Sequence, residues 1–129
     1  MKIYLAAAYT RREELCHYRD ALIELGHVVT SRWLRGPDQL AELGSVHSKL
    51  YAGEDLEDIA AADMVISFTE PRLSPASSGG RHGEFGVALA TGKMVAVVGY
   101  RENIFHWLDA VQFFEDWDAC LDHLSELRT

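Results

Sequence analysis

Glu84 is the residue whose surroundings most invite chemistry. It stands in the glycine-rich stretch Ser77-Ser78-Gly79-Gly80-Arg81-His82-Gly83-Glu84-Phe85-Gly86. That stretch follows the apolar run Met64-Val65-Ile66-Ser67-Phe68 and a short loop holding Pro71, and it leads into a helical segment expected over residues 84–91, closed by Gly92. A glycine-rich turn between strand and helix lets a ligand approach the backbone and leaves helix N–H groups free for anionic groups. Gly79, Gly80, Gly83 and Gly86 clear space on both sides of the carboxylate. Early on a helix, Glu84 is expected to be kept ionised by the helix dipole, as suits a nucleophile. The plain alternative is an exposed first-turn Glu that only stabilises the helix.

A second carboxylate reaching the same pocket could protonate a leaving group, the two-carboxylate logic of glycosyl transfer. Glu54-Asp55-Leu56-Glu57-Asp58 offers candidates, although such a run also reads as a solvated helix face. Spacing alone leaves open which aspartate serves, and Asp63 reads as a turn or capping residue. Tyr4, inside the first strand, is by default a core aromatic; a hydroxyl directed at Glu84 would orient that carboxylate and tune its basicity. Ala7 and Tyr9 close the first strand, beside Arg11 and Arg12. Arg72 and Arg81 flank the glycine-rich turn, where Ser78, Gly79 and Gly80 lie. The arginines serve either solubility or the capture of a phosphate. His82 either packs at the helix start or faces a base. No Walker-type P-loop, dinucleotide fingerprint or nucleophile elbow occurs.

These residues need elements to hold them. Residues 2–8 read as a buried strand, and Thr10 with Glu13 as a capping box opening a helix with Leu15, Tyr18, Leu22 and Leu25 on its core stripe and Gly26 beyond its end. A second strand is expected over 28–33, giving a βαβ unit with parallel strands. Residues 34–48 form an excursion with a turn at Gly36-Pro37-Asp38 and a possible helical turn over 38–43. A helix follows from Val46 through Leu50, Leu56 and Ile59 to Ala62, then strands over 64–69, 94–99 and 111–114. A last helix from Asp116 turns Trp117, Cys120, Leu121, Leu124 and Leu127 to one face. The expected fold is one domain over 1–129: a three-layer α/β sandwich, flavodoxin- or Rossmann-like, with about five mostly parallel strands and ligands at their carboxyl ends.

At 129 residues, with 48% hydrophobic and 25% charged residues, the chain suits one ordinary globule. A net charge of -8 argues against duplex nucleic acid, which needs clustered cations, and leaves room for a small anion held by local arginines. No apolar run approaches ~20 residues, so no membrane span is expected, and the first residues read as a strand rather than a leader. Cys16 and Cys120 each sit in an apolar stripe, as free thiols in a reducing cytoplasm would. The six histidines lack metal-ligand spacing, so no metal is expected.

Three pieces together resemble the nucleoside 2-deoxyribosyltransferase family, which includes the 2′-deoxynucleoside 5′-monophosphate N-hydrolases. They are Ile3-Tyr4-Leu5-Ala6-Ala7, Asp55-Leu56 with Ala62-Asp63, and Gly83-Glu84-Phe85-Gly86-Val87-Ala88-Leu89 with Gly92-Lys93. The resemblance implies a flavodoxin-like fold and a double displacement without metal or organic cofactor. In it Glu84 attacks C1′ of the sugar, Asp55 assists at base and sugar, and Tyr4 positions the nucleophile; water or a second base resolves the ester. Ser78, six residues before Glu84, stands where transferases carry an aspartate and where the monophosphate hydrolases carry a phosphate-holding serine. The Tyr9-Thr10-Arg11-Arg12 turn departs from the serine- and glycine-rich loop of those hydrolases. The family shares active sites between subunits, which implies a homodimer or larger homo-oligomer, with Asn103 and His106 as candidate contributors. The alternative function is a non-catalytic nucleotide sensor on the same fold.

Overall fold

The computed structural model describes residues 1–35, 45–71 and 79–127, with 45–47 described for their backbone only. Its five strands are β1 (Lys2–Ala6), β2 (Val28–Val29), β3 (Met64–Phe68), β4 (Met94–Val98) and β5 (Val111–Phe114). They form one all-parallel sheet in the order β2-β1-β3-β4-β5. Its helices are α1 (Arg12–Glu24), α2 (Ser45–Ala61), α3 (Gly80–Ala90) and α4 (Trp117–Glu126). This is the α/β sandwich that the alternating pattern predicts.

Register decides which side chains meet. Tyr4 pairs with Val65 and Ala6 with Ser67, so these four share one face, and Leu5 opposite Ile66 points to the other. The Tyr4 face lies under α2 and α3. On the opposite face Phe68 stacks with Tyr18 of α1 at 5.3 Å and lies 5.8 Å from Trp117 of α4. Ile3, Leu5, Leu15, Leu22, Ile66, Phe68 and Leu124 are essentially inaccessible to solvent. Each such side chain stabilises the fold by about 1.5–3 kcal/mol relative to an exposed one.

Several local expectations change. The second strand ends at Val29 rather than running to residue 33, because Ser31 turns inward to β1 and residues Arg32–Leu34 wind a 3-10 turn. The Thr10 capping box does not form: Tyr9–Arg11 is itself a 3-10 turn, and α1 starts after Arg11 without a side-chain cap. At the other end of the chain Asp116 does cap α4, accepting from the Ala119 N–H at 2.9 Å. The helical turn expected over 38–43 lies outside the described residues. Gly99 has φ 116°, and a Cβ there would lie 2.9 Å from the Thr69 hydroxyl, so only glycine leaves strand β4 at this point.

Candidate active site

Tyr4 reaches Glu84 from β1, an interior strand of the sheet. Its ring is fully buried, and its hydroxyl donates a hydrogen bond to Oε2 of Glu84 on α3. Asp55, half-buried on α2, completes the group. Its charge raises the pKa values of both neighbours, and hydrogen bonding from the Tyr4 hydroxyl draws its own down. Thus β1, α2 and α3 bring Tyr4, Asp55 and Glu84 together.

The electrostatics differ from the sequence expectation. The helix begins at Gly80 rather than at Glu84, so Glu84 lies beyond the first turn, where the dipole is weak. Burial dominates instead. It pushes the Glu84 carboxyl up to about 8, with Asp55 adding and the Tyr4 hydrogen bond opposing. Burial, then the charges of Asp58 and Glu54, raise Asp55 to about 6, while Arg32 and Tyr4 pull it down. Burial and both carboxylates push the Tyr4 phenol far above its usual range, so it stays a neutral donor. Between about pH 6 and 8 the two carboxyls therefore hold one proton between them, with the Tyr4 hydroxyl donating to Glu84.

The other expected site residues scatter around this centre. Ala7 and Tyr9 are half-buried just past β1, with the Tyr9 ring 6.0 Å from Trp33. Arg11 bonds bidentately to Glu14 at 2.9 and 2.7 Å, reaches Glu70 at 3.5 Å, and lies over the Phe68 ring. Arg12 donates from Nε to the Leu34 carbonyl at 2.9 Å. Arg81, expected to serve either solubility or phosphate capture, is 4% exposed and pairs through Nη2 with Glu102 at 2.7 Å. Its Nη1 lies 3.0 Å from His82 Nε2. Asn103 stands 3.5 Å from ring nitrogens of both His82 and His106. Burial, followed by neighbouring charges, lowers the pKa values of both histidines. Gly79 precedes α3 with φ 86°, and no side chain caps the helix there. Ser78 and Arg72 lie outside the described residues.

A groove of about 670 Å³ runs along the flank of α3, lined chiefly by His82, Phe85, Gly86, Leu89, Asn103 and Phe105. It belongs to the side of α3 away from Glu84. Beyond it Ile104 and Trp107 are 77% and 68% exposed.

Four further polar residues help to build the site, of which only Asp58, in the acidic run, was a candidate. Ser31, Arg32 and Asp58 hold β1 to α2, and Glu102 anchors Arg81. Asp58 alone carried a signal, since it stands one helical turn beyond Asp55.

No protein-family model matches the chain, and a search of curated proteins gives no match. Solved structures do match. A 2-deoxyribosyltransferase from the psychrotolerant bacterium Bacillus psychrosaccharolyticus superposes with TM-score 0.69 at 28% identity, covering 95% of this chain and 91% of that one. The CMP N-glycosidase BcmB of Clostridium botulinum gives 0.61 at 22% identity, over 98% and 99% of the two chains. A 2-deoxyribosyltransferase from Leishmania mexicana gives 0.66 at 16% identity, over 99% of each. The latter two speak for the fold alone. With the motifs around Tyr4, Asp55 and Glu84, the first likeness agrees with the resemblance to the nucleoside 2-deoxyribosyltransferase family, and all three agree on the fold.

Proposed function

We propose that this chain is an enzyme that cleaves the N-glycosidic bond of a nucleoside or nucleoside 5′-monophosphate through a covalent intermediate on Glu84. The observation that carries the reading is the hydrogen bond from buried Tyr4 to Glu84, with Asp55 beside both. At rest the shared proton favours Glu84, the more strongly raised carboxyl; in the reactive form it sits on Asp55 and the charge on Glu84, whose anion the neutral Tyr4 hydroxyl stabilises through its hydrogen bond. Glu84 attacks C1′ as the C1′–N bond breaks, and the departing base takes the proton from Asp55. Asp55, now ionised, accepts a proton from water attacking the ester, which regenerates free Glu84. A second nucleobase in place of water gives transfer. Either route retains the configuration at C1′.

For a 5′-phosphate the available donors are the free N–H groups at the start of α3, with Ser78 just ahead of it. Arg81 and Arg11 already serve Glu102, Glu14 and Glu70, so they orient the walls of the site in this reading. The apolar flank of α3, with Ile104 and Trp107 beyond it, is where a second copy docks. That contact brings Asn103 to the boundary between the two copies, while His106, 1% exposed, stays inside its own chain behind it.

Incubating the purified chain with ribo- and deoxynucleosides and their 5′-monophosphates, with and without a second free base, tests the reading. Chromatography follows the products. Base release from monophosphates alone gives an N-hydrolase, and appearance of a new nucleoside gives a transferase. Ligand-induced stabilisation with no product across the whole panel would replace the enzyme with a nucleotide sensor.

A further inference from the structure

The turn after β2 touches both sides of the catalytic group without entering it. Toward β1, the Thr30 N–H donates to the Ile3 carbonyl at 2.9 Å, and the Ser31 hydroxyl accepts from the Leu5 N–H at 2.7 Å. Ile3 and Leu5 are the two neighbours of Tyr4. Toward α2, the Thr30 hydroxyl donates to the Asp58 carbonyl at 2.9 Å. The Arg32 N–H and Nε donate to the two carboxylate oxygens of Asp58 at 2.9 and 2.8 Å. The same guanidinium reaches the Glu54 carbonyl at 3.3 Å and the Glu57 carboxylate at 2.9 Å. Residues 54, 57 and 58 surround Asp55 on the helix. Three consecutive residues thus grip the backbone on either side of Tyr4 and the helical turn that carries Asp55.

We propose that Arg32 and Asp58 are positioning residues: their forked ion pair fixes the α2 turn against β1 and so sets where the Asp55 carboxyl stands relative to Tyr4 and Glu84. The inference rests on the catalytic reading above. Surface ion pairs alone add little stability, but this one is different in form. Asp58 is only 7% exposed, and both of its oxygens are occupied by one residue. A lysine would keep the charge, yet it lacks the planar fork that bonds the Asp58 carboxylate and the Glu54 carbonyl at once. The groups facing Asp55 are Tyr4 from β1, Glu54 and Asp58 from α2, Glu84 from α3 and Arg32 from the turn, so displacement of the turn alters its titration as well as its aim.

The test compares Arg32→Lys, Arg32→Gln and Asp58→Asn with the wild-type chain. Steady-state kinetics over pH are measured below the unfolding range of every variant, and the Asp55 carboxyl is titrated by carbon-13 NMR. Arg32→Lys is expected to lower kcat by about 10- to 100-fold with KM within about threefold, the signature of a misplaced catalytic group. Arg32→Gln is expected to do the same and to raise the Asp55 titration. Asp58→Asn, which keeps the size and one acceptor, is expected to lower kcat less strongly and, by removing a charge that raises Asp55, to lower the Asp55 titration; it decides the matter if neither Arg32 variant folds. Wild-type kcat in all folded variants, with only a lower Tm, would overturn the proposal by reducing the pair to a stabilising contact. If the wild-type chain turns over nothing, the catalytic reading fails by itself, and the NMR arm still decides: an unmoved Asp55 titration in every variant removes the positioning role.

Discussion

On the α1/α4 face of the sheet, Arg11 is closed by Glu14 and Glu70 and lies over Phe68, while Tyr18 stacks between Phe68 and Trp117 and gives its hydroxyl to Glu14 at 2.5 Å. The Arg11 hydrogen bond holds the Glu14 carboxyl below its usual range, opposing burial. On the α2/α3 face, Glu84 and Asp55 share a partly buried pocket in which the donor to Glu84 is a neutral phenol. Arg32 offsets part of the charge on Asp55 but is pledged to Asp58 and Glu57. Arg11, Glu14 and Glu70 thus meet opposite charge, whereas Glu84 and Asp55 are left raised toward neutrality. Uncompensated burial is costly for folding and useful for chemistry, because it places proton affinities near working pH.

The largest break in that contrast is Glu84→Gln. Loss of the nucleophile proposed above is expected to lower turnover by at least about 10⁴-fold, measured as base release, with the fold intact. Stability should move the opposite way. A carboxyl raised to about 8 favours the folded chain fully below the ordinary carboxylate range and loses that favour as pH climbs to about 8. The glutamine variant should therefore be more stable than wild type at pH 8, by about 2–4 kcal/mol, with the gain fading toward pH 5. Equal Tm values at both pH values would show that Glu84 is not under the burial strain argued here.

Asp55→Asn comes next, with kcat expected to fall by about 10²- to 10³-fold. In the wild type kcat/KM should be bell-shaped, with limbs near pH 6 and 8 from the one-proton state of the pair. The variant should keep only an ascending limb, the ionisation of Glu84, and lose the descending limb near pH 8, which reports the proton that Asp55 delivers. A retained descending limb would assign that proton to another group. Tyr4→Phe is a smaller change, about 10- to 100-fold in kcat. It also removes a hydrogen bond that lowers both carboxyls, so both limbs should shift to higher pH. Limbs that stay fixed would deny Tyr4 its bridging role.

Much of this was legible in the residues, though unevenly. Alternation of apolar runs and amphipathic stripes is enough for the order of elements, since burial in a parallel sheet demands it. The roles of Tyr4, Asp55 and Glu84 came from order and spacing that resemble a family; their proximity could not be read locally, because Tyr4 and Glu84 lie 80 residues apart. The dipole argument for Glu84 failed because the helix starts four residues earlier, through Gly80 and Gly83, which have weak helical preference. The β2 strand was overrun because a valine and threonine run looks extended, while the inward hydroxyl of Ser31 bonds to Leu5 and ends it. Arg81 read as a cation for solubility or for phosphate capture; its partner Glu102 stands 21 residues later, beyond any local pattern.

The smallest effect lies on the compensated face and serves as the control for the others. Burial first, and then the hydrogen bond to Glu14, push the Tyr18 phenol up to about 12, so it is a neutral donor that only serves Glu14. Tyr18→Phe keeps the stack on Phe68 and Trp117 and removes one hydrogen bond, so stability should fall by about 1 kcal/mol, or about 2–5 °C in Tm. Turnover per folded molecule should stay within about twofold of wild type, and both limbs of the pH profile should stay in place. A shift in either limb would mean that charge on the α1/α4 face reaches the carboxyl pair through the sheet. The contrast between a paired and an unpaired face would then have to give way to a single coupled network.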